Sequence, residues 1–224
     1  MDKYVLIVAG GKGLRMGGDL PKQFIPMRGK PLLMHTLEAF HRWDASARII
    51  LVLPEDHQPY WNMLCKEIGC KVPHAIVKGG DTRFFSVKNG LDWLLAERRR
   101  KGEEDSGLSL VAVHDGVRPF VSPEVVEACF DKAAVTGAVI PVVPMIDSLR
   151  ETDEKGSHPV DRSRYMAVQT PQVFLLELLT KAYEQPYSSL FTDDASVVEA
   201  MGHAIDTDRK STRLTPVTSN NLVC

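Results

Sequence analysis

Val5-Leu6-Ile7-Val8-Ala9-Gly10-Gly11-Lys12-Gly13-Leu14-Arg15-Met16, followed by Pro21-Lys22-Gln23, is the stretch on which the reading of this chain turns. An unbroken apolar run that empties into glycines predicts a buried strand ending in a turn. Glycine lets a backbone approach a polyphosphate closely, and successive N–H groups can then point at its oxygens. Arg15 and Lys22 add full positive charges beside that cradle. The layout suits chemistry at a nucleotide phosphate.

Outward from this stretch, apolar runs alternate with helical patterns. Val5–Ala9, Ile49–Leu53, Ala75–Val77, Leu110–His114 and Val139–Val143 read as strands, and Pro31–Trp43, Gln58–Ile68, Arg83–Arg99 and Pro123–Val135 as helices. In the third helix Val87, Leu91, Leu94 and Leu95 share one face. Ahead of the fourth, Ser122 is suited to cap the helix and Pro123 to open it. Nearly all-apolar strands separated by helices predict an α/β fold, a mostly parallel sheet with helices on both faces. The rhythm changes near Ser148. The stretch from Arg150 to Pro159 is polar, carries turn formers and has no helical face, which predicts an arm or hairpin projecting from the sheet. Helices over Leu175–Glu184 and from about Thr192 to Gly202 follow. The chain reads as a single domain over 1–224, with the arm at about 148–170 and an atypical tail at 211–224.

Composition narrows the class. At 44% hydrophobic and 25% charged residues the chain has the make-up of an ordinary soluble globular protein. A net charge of −2 implies no general affinity for nucleic acid or for an anionic membrane. The apolar run from Tyr4 to Ala9 is too short for a signal-peptide core or a membrane span, so a cytoplasmic location is expected. Cys65, Cys70, Cys129 and Cys224 form no Cys-x-x-Cys pair and are read as reduced thiols. The histidines are scattered without a metal motif, so a transition metal held by the protein is not expected. Arg98-Arg99-Arg100-Lys101 ends an amphipathic helix, where cations favour the helix dipole, and is read as a solvated terminus rather than a nucleic-acid surface.

Several constellations can carry chemistry. A dinucleotide fingerprint would need Gly-x-Gly-x-x-Gly, but here Gly11-x-Gly13 is followed by Leu14, Arg15 and Met16, and no acidic residue directly follows the second strand. A purely structural glycine turn has no need of Arg15 and Lys22. His114-Asp115-Gly116-Val117-Arg118 follows an apolar strand, at the strand end where open α/β sheets bind ligands. Asp115 there can meet a magnesium ion or a substrate hydroxyl, and Arg118 a phosphate. The alternative is a surface turn with a local ion pair. Gly79-Gly80-Asp81-Thr82-Arg83, with Ser86 one turn later, can read a base edge or hold a phosphate, or can be an ordinary helix start capped by Asp81 or Thr82. Asp147-Ser148, Asp161-Arg162, Gln169-Thr170-Pro171-Gln172 and Thr192-Asp193-Asp194 are each weak alone. No nucleophilic Ser or Cys with a paired His is visible.

Taken together, Ala9-Gly10-Gly11-x-Gly13-x-Arg15-Met16 and Pro21-Lys22-Gln23 resemble the signature of nucleotidyltransferases that activate sugars and polyols. Gly79-Gly80-Asp81-x-Arg83-x-x-Ser86-Val87, His114-Asp115-x-x-Arg118-Pro119, Asp147-Ser148, Val160-Asp161-Arg162 and Thr170-Pro171-Gln172-x-Phe174 narrow it. The set resembles the polyol-phosphate cytidylyltransferases, and among them the 2-C-methyl-D-erythritol 4-phosphate cytidylyltransferase family of the non-mevalonate isoprenoid pathway, from about Val5 to about Asp206. The resemblance implies a Rossmann-like domain, an arm that interlocks two subunits in a homodimer, and CTP and Mg2+ as reactants. By matching position it implies Arg15 and Lys22 as stabilisers of the transition state. Ala9, Gly10, Gly11, Gly13, Gly79, Asp81 and Ser86 are the implied CTP-holding residues. Asp115, Arg118, Ser148, Arg162, Thr170 and Thr192 are implied to bind the polyol phosphate, Arg162 across the dimer. Ribitol 5-phosphate is the alternative substrate within this group, and a CTP-binding protein without catalysis is the alternative of another class.

The C-terminal residues depart from the family pattern. Arg213 falls where the family carries a lysine that positions the substrate phosphate, and the residues after Pro216 are polar, without the closing helix. A loss of stability or activity from that departure is expected.

Overall fold

In the computed structural model, residues 1–10, 20–103, 107–154 and 156–209 are described. The first strand, β1 (Asp2–Val8), is wholly buried from Tyr4 to Ile7, as a strand covered on both faces must be. A short hairpin, β2 (Pro26–Met27) and β3 (Lys30–Pro31), leads into α1 (Leu32–Trp43). Then β4 (Arg48–Leu53), α2 (Gln58–Ile68), β5 (His74–Lys78), α3 (Arg83–Lys101), β6 (Ser109–Asp115), α4 (Pro123–Thr136) and β7 (Ala138–Pro144) alternate as the apolar pattern predicts. Ser122 caps α4, its Oγ accepting from the Val125 N–H, with Pro123 in the first turn.

The main sheet has the order β10-β7-β11-β6-β1-β4-β5. β6, β1, β4 and β5 are mutually parallel. The sheet is mostly parallel as expected, and its second half holds the two described strands that run against the others. β10 (Met166–Val168) runs antiparallel to β7, and β11 (Gln172–Leu175) lies antiparallel between β6 and β7. β12 (Asp206–Asp208) pairs parallel with β7. These strands are only three or four residues long, too short for periodicity alone to mark them.

Alternate residues of β1 feed two core layers. Val5 and Ile7 pack with Leu33, Phe40, Trp61 and Phe130 from α1, α2 and α4. Tyr4 and Leu6 pack with Val87, Leu91 and Leu94 of α3, with Leu179 of α5 (Leu176–Ala182), and with Val198 of α6 (Asp194–Glu199). The predicted projection is a hairpin of β8 (Arg150–Asp153) and β9 (Gly156–Pro159), in register from Arg150↔Pro159 to Asp153↔Gly156 and exposed along both strands.

One expectation is corrected. The basic run at the end of α3 is not uniformly solvated, because Arg98 is only 6% exposed. Its guanidinium donates to Tyr4 Oη at 2.7 Å and to Ser109 Oγ at 2.9 Å, and it pairs with Asp2. Helical periodicity turns one residue of any basic run inward, and here the apolar strand it meets carries a phenol that needs a partner.

Candidate functional site

The carboxyl ends of β6, β1, β4 and β5 meet along one edge, and the order reverses between β1 and β6, the place where open α/β sheets leave a crevice. Two groups of residues gather there. The first surrounds the exit of β1. Ala9 N–H donates to Val52 O at 3.0 Å, continuing the ladder one residue past the strand. The Ala9 carbonyl accepts from Gln23 Nε2 at 3.1 Å, and Gln23 also lies 3.3 Å from His57 Nδ1. Gln23 belongs to a 3₁₀ turn, Lys22–Phe24, whose Phe24 ring is wedged among His57, Tyr60 and Trp61. Lys22 is therefore carried on a turn held by both residues that follow it.

Beyond β5, Gly79 N–H donates to Leu53 O at 3.0 Å and Gly80 N–H donates to Ser86 Oγ at 3.0 Å. Ser86 Oγ donates in turn to Thr82 O at 2.9 Å. A Cβ on Gly10 would stand 3.8 Å from Ser86 Oγ and one on Gly79 3.3 Å, so β1 and the β5 loop converge on this hydroxyl. Gly80 has no room for a side chain, since its Cβ would fall 2.4 Å from Phe85 Cβ. The cap of α3 is Thr82, accepting from Phe85 N–H, which leaves Asp81 exposed and uncommitted to capping. Ala9, Gly10, Gly79 and Ser86 are thus brought together beside the Lys22 turn, with Asp81 in the same loop.

The second group lies at the end of β6. Arg118 Nε donates to Asp115 Oδ2 at 2.8 Å and its Nη1 to Gln169 Oε1 at 3.1 Å. Arg83 Nε stands 3.8 Å from Asp115 Oδ1, while its Nη1 and Nη2 grip the Asp194 carboxylate at 2.9 and 2.6 Å. Burial opposes the charge on Arg83, but Asp194 more than offsets this and holds its pKa above the ordinary guanidinium value. Gln172 Nε2 donates to Asp193 Oδ2 at 2.8 Å and Gln172 Oε1 accepts from Ala195 N–H at 2.9 Å, joining the start of α6 to β11. Thr192 and Thr170 flank this network, the first exposed and the second buried, its Oγ1 without a partner among the described residues. Behind it His114 is sealed in, Nε2–H donating to Arg118 O at 3.0 Å, and burial pushes the imidazole pKa down to about 4. Gly116 closes the turn, where a Cβ would fall 2.8 Å from that of Ala9.

Ser148 and Arg162 are not joined to either group among the described residues. They share the base of the hairpin, where Arg162 Nη1 donates to Ile146 O and Val160 N–H to Leu149 O. Gly11, Gly13, Arg15 and Arg213 lie outside the described residues. Arg83, Asp194, Gln172 and Tyr183 organise the site, although sequence reasoning gives them no role. The Thr192-Asp193-Asp194 string, the arginine of Gly79-Gly80-Asp81-Thr82-Arg83 and the glutamine of Thr170-Pro171-Gln172 are the visible signals for three of them, and Tyr183 has none.

Comparison with known proteins accords with this geometry. The sequence profile described as IspD, 2-C-methyl-D-erythritol 4-phosphate cytidylyltransferase, matches residues 4–216. A 2-C-methyl-D-erythritol 4-phosphate cytidylyltransferase of Bacteroides fragilis is 52% identical over 218 residues, covering 96% of this chain and 94% of that protein. Its counterpart in Porphyromonas gingivalis is 54% identical over 198 residues, covering 88% and 83%. Among solved structures, that of the 2-C-methyl-D-erythritol 4-phosphate cytidylyltransferase of Thermus thermophilus superposes with a TM-score of 0.67 at 29% identity, covering 96% of this chain and 93% of that one. With a profile match over nearly its whole length and relatives more than half identical, the chain belongs to the 2-C-methyl-D-erythritol 4-phosphate cytidylyltransferase family.

Proposed function

We propose that this chain transfers the cytidylyl group of CTP to 2-C-methyl-D-erythritol 4-phosphate, giving 4-diphosphocytidyl-2-C-methyl-D-erythritol and pyrophosphate. Within a chain of this family, the observation that carries the reading is the convergence of Gly10, the Gly79–Gly80 loop and the Asp115–Arg118 pair on one edge of the sheet. A substrate phosphate oxygen bonds to the α-phosphorus of CTP, and the bond from that phosphorus to the bridging oxygen of pyrophosphate breaks. The attacking phosphate is already ionised near neutral pH, so no general base is needed. What remains is to align two anions and spread the developing charge. Lys22 and Arg15 are assigned to that charge, with Ala9, Gly10, Gly11, Gly13, Gly79, Asp81 and Ser86 holding the nucleotide. Asp115, Arg118, Thr170, Thr192, Ser148, Arg162 and Arg213 are assigned to the polyol phosphate.

Mg2+ enters with the triphosphate. Among the described residues no three His, Cys, Asp or Glu side chains converge, and both Asp115 oxygens face guanidinium groups. The described donors do not make a metal site of their own. A homodimer through the hairpin fits the exposure of both its strands, because a lone two-stranded hairpin is marginal in water. No helix among the described residues is long and apolar enough to cross a membrane. Cys65, Cys70 and Cys129 are free thiols, which supports a reducing cytoplasm.

The test is pyrophosphate release from CTP and Mg2+ with methylerythritol 4-phosphate or ribitol 5-phosphate as acceptor. Release with the first alone is expected. Release with the second alone reassigns the acceptor, and CTP binding without release with either replaces the enzyme by a binding protein.

A further inference from the structure

An ion-paired network with no assigned role lies behind Asp115 and Arg118. The Asp194 carboxylate has no solvent exposure and accepts from both Arg83 Nη atoms and from Tyr183 Oη at 2.6 Å. The Asp194 carboxylate is fully buried while the Arg83 side chain stays 32% exposed, and a carboxylate this deep, even when paired, adds little to stability over an apolar replacement, so its presence asks for another reason. Its geometry supplies one. The segment carrying Asp194 is fixed twice over, since the capping box of Asp193 with Ser196 and the Gln172 bridge lock the start of α6. Arg83 is the first residue of α3, and its remaining nitrogen, Nε, faces Asp115 Oδ1 at 3.8 Å.

Asp115 therefore stands between two guanidiniums of different freedom. Arg118 is closer, at 2.8 Å, but its side chain is 45% exposed. Arg83 is farther but anchored bidentately. A phosphate dianion arriving at the edge draws an exposed arginine into a charge-assisted pair. We infer that Arg83 is a positioning residue: braced on Asp194 and Tyr183, it keeps the Asp115 carboxylate aimed at the polyol when Arg118 turns to the phosphate. The role rests on the proposed reaction, and it couples the start of the helix behind the nucleotide loop to recognition of the acceptor.

Removing Arg83 alone would leave Asp194 buried without its cation, so the test uses the charge-balanced pair Arg83→Gln with Asp194→Asn. The KM for the polyol phosphate is expected to rise about tenfold while the KM for CTP stays within about twofold. In an Asp115→Asn background the same two changes should add less than about twofold, because the residue they act through is already gone. Equal losses in both backgrounds, or a CTP KM that rises as much, overturn the inference. Should the pair fail to fold, Arg83→Lys, which keeps the charge and loses the fork, carries the same comparison. Turnover by the wild-type protein tests the underlying reaction separately. The clamp also has a readout free of turnover: the Arg83 Nε–H resonance of the folded chain should move on Asp115→Asn, and an unmoved resonance overturns it.

Discussion

Gln23 Nε2 donates to the Ala9 carbonyl at 3.1 Å, so the turn carrying Lys22 is tied to the residue that follows β1 by a side chain that is 1% exposed. The Gln23→Leu variant keeps the volume and takes away the donor. A buried acceptor that loses its partner costs about 1–3 kcal/mol. A lower urea midpoint with an unchanged slope is expected, together with a raised KM for CTP. A variant with native CTP affinity would separate the turn from the nucleotide site.

Lys22 itself carries a sharper expectation. It is half-buried on a turn anchored by the Gln23 and Phe24 side chains rather than by its own, so truncation removes little that the fold depends on. One preorganised charge at a transition state is worth about 3–4 kcal/mol. Lys22→Ala should therefore lower turnover roughly a hundredfold or more, with a circular-dichroism melt that overlays the wild type. Near-normal turnover removes the role.

Arg98 and Arg100 stand two residues apart and should behave oppositely. Arg98→Met leaves Tyr4 Oη and Ser109 Oγ without their donor inside the core, and a loss of at least about 2 kcal/mol is expected. Arg100 pairs with Glu97 in solvent, and Arg100→Met should leave the urea midpoint where it was. Equal effects from the two would return the whole basic run to the surface.

His114 sets an acid limit. The unfolded imidazole takes its proton near 6.5 and the folded one near 4, because burial disfavours the charged ring. Between those values the unfolded chain holds more protons, so stability rises with pH across the window. The contribution of His114 is full above about 6.5 and is lost as pH falls toward 4, with a slope of at most about 1.4 kcal/mol per pH unit. Urea midpoints measured from pH 4 to 6.5 should show this slope, and His114→Gln should reduce it. An unchanged slope in the variant would assign the acid sensitivity elsewhere.

The parallel half of the fold is legible in the sequence because each strand is buried on both faces and reads as an apolar run, as Ile49–Leu53 does inside β4. Gly10 and Gly79, which converge on Ser86, are legible because glycines after a strand stand out locally, whereas Gly11, Gly13 and Arg15 lie outside the described residues. Contacts between distant segments are not legible. Arg83 and Asp194 are 111 residues apart, and nothing in either neighbourhood announces the other. The inward turn of Arg98 is hidden for a related reason, since a run of like charges masks which member faces the core. β11 escapes notice because Gln172-Val173-Phe174-Leu175 continues into an apolar helix without a break in composition.

The register of β10 on β7 pairs Met166 directly with Pro144. The whole excursion of residues 145–165 therefore leaves the sheet and returns to it at one rung, like a handle fixed by both ends to the same plank. Insertions or deletions within the handle change its reach without shifting Gln169, Thr170 or Gln172, whose places are set by the rungs that follow. Ser148 and Arg162 ride on that handle while Thr170 and Thr192 do not, so the residues assigned to the acceptor divide between a part whose reach can change and a part pinned to the sheet.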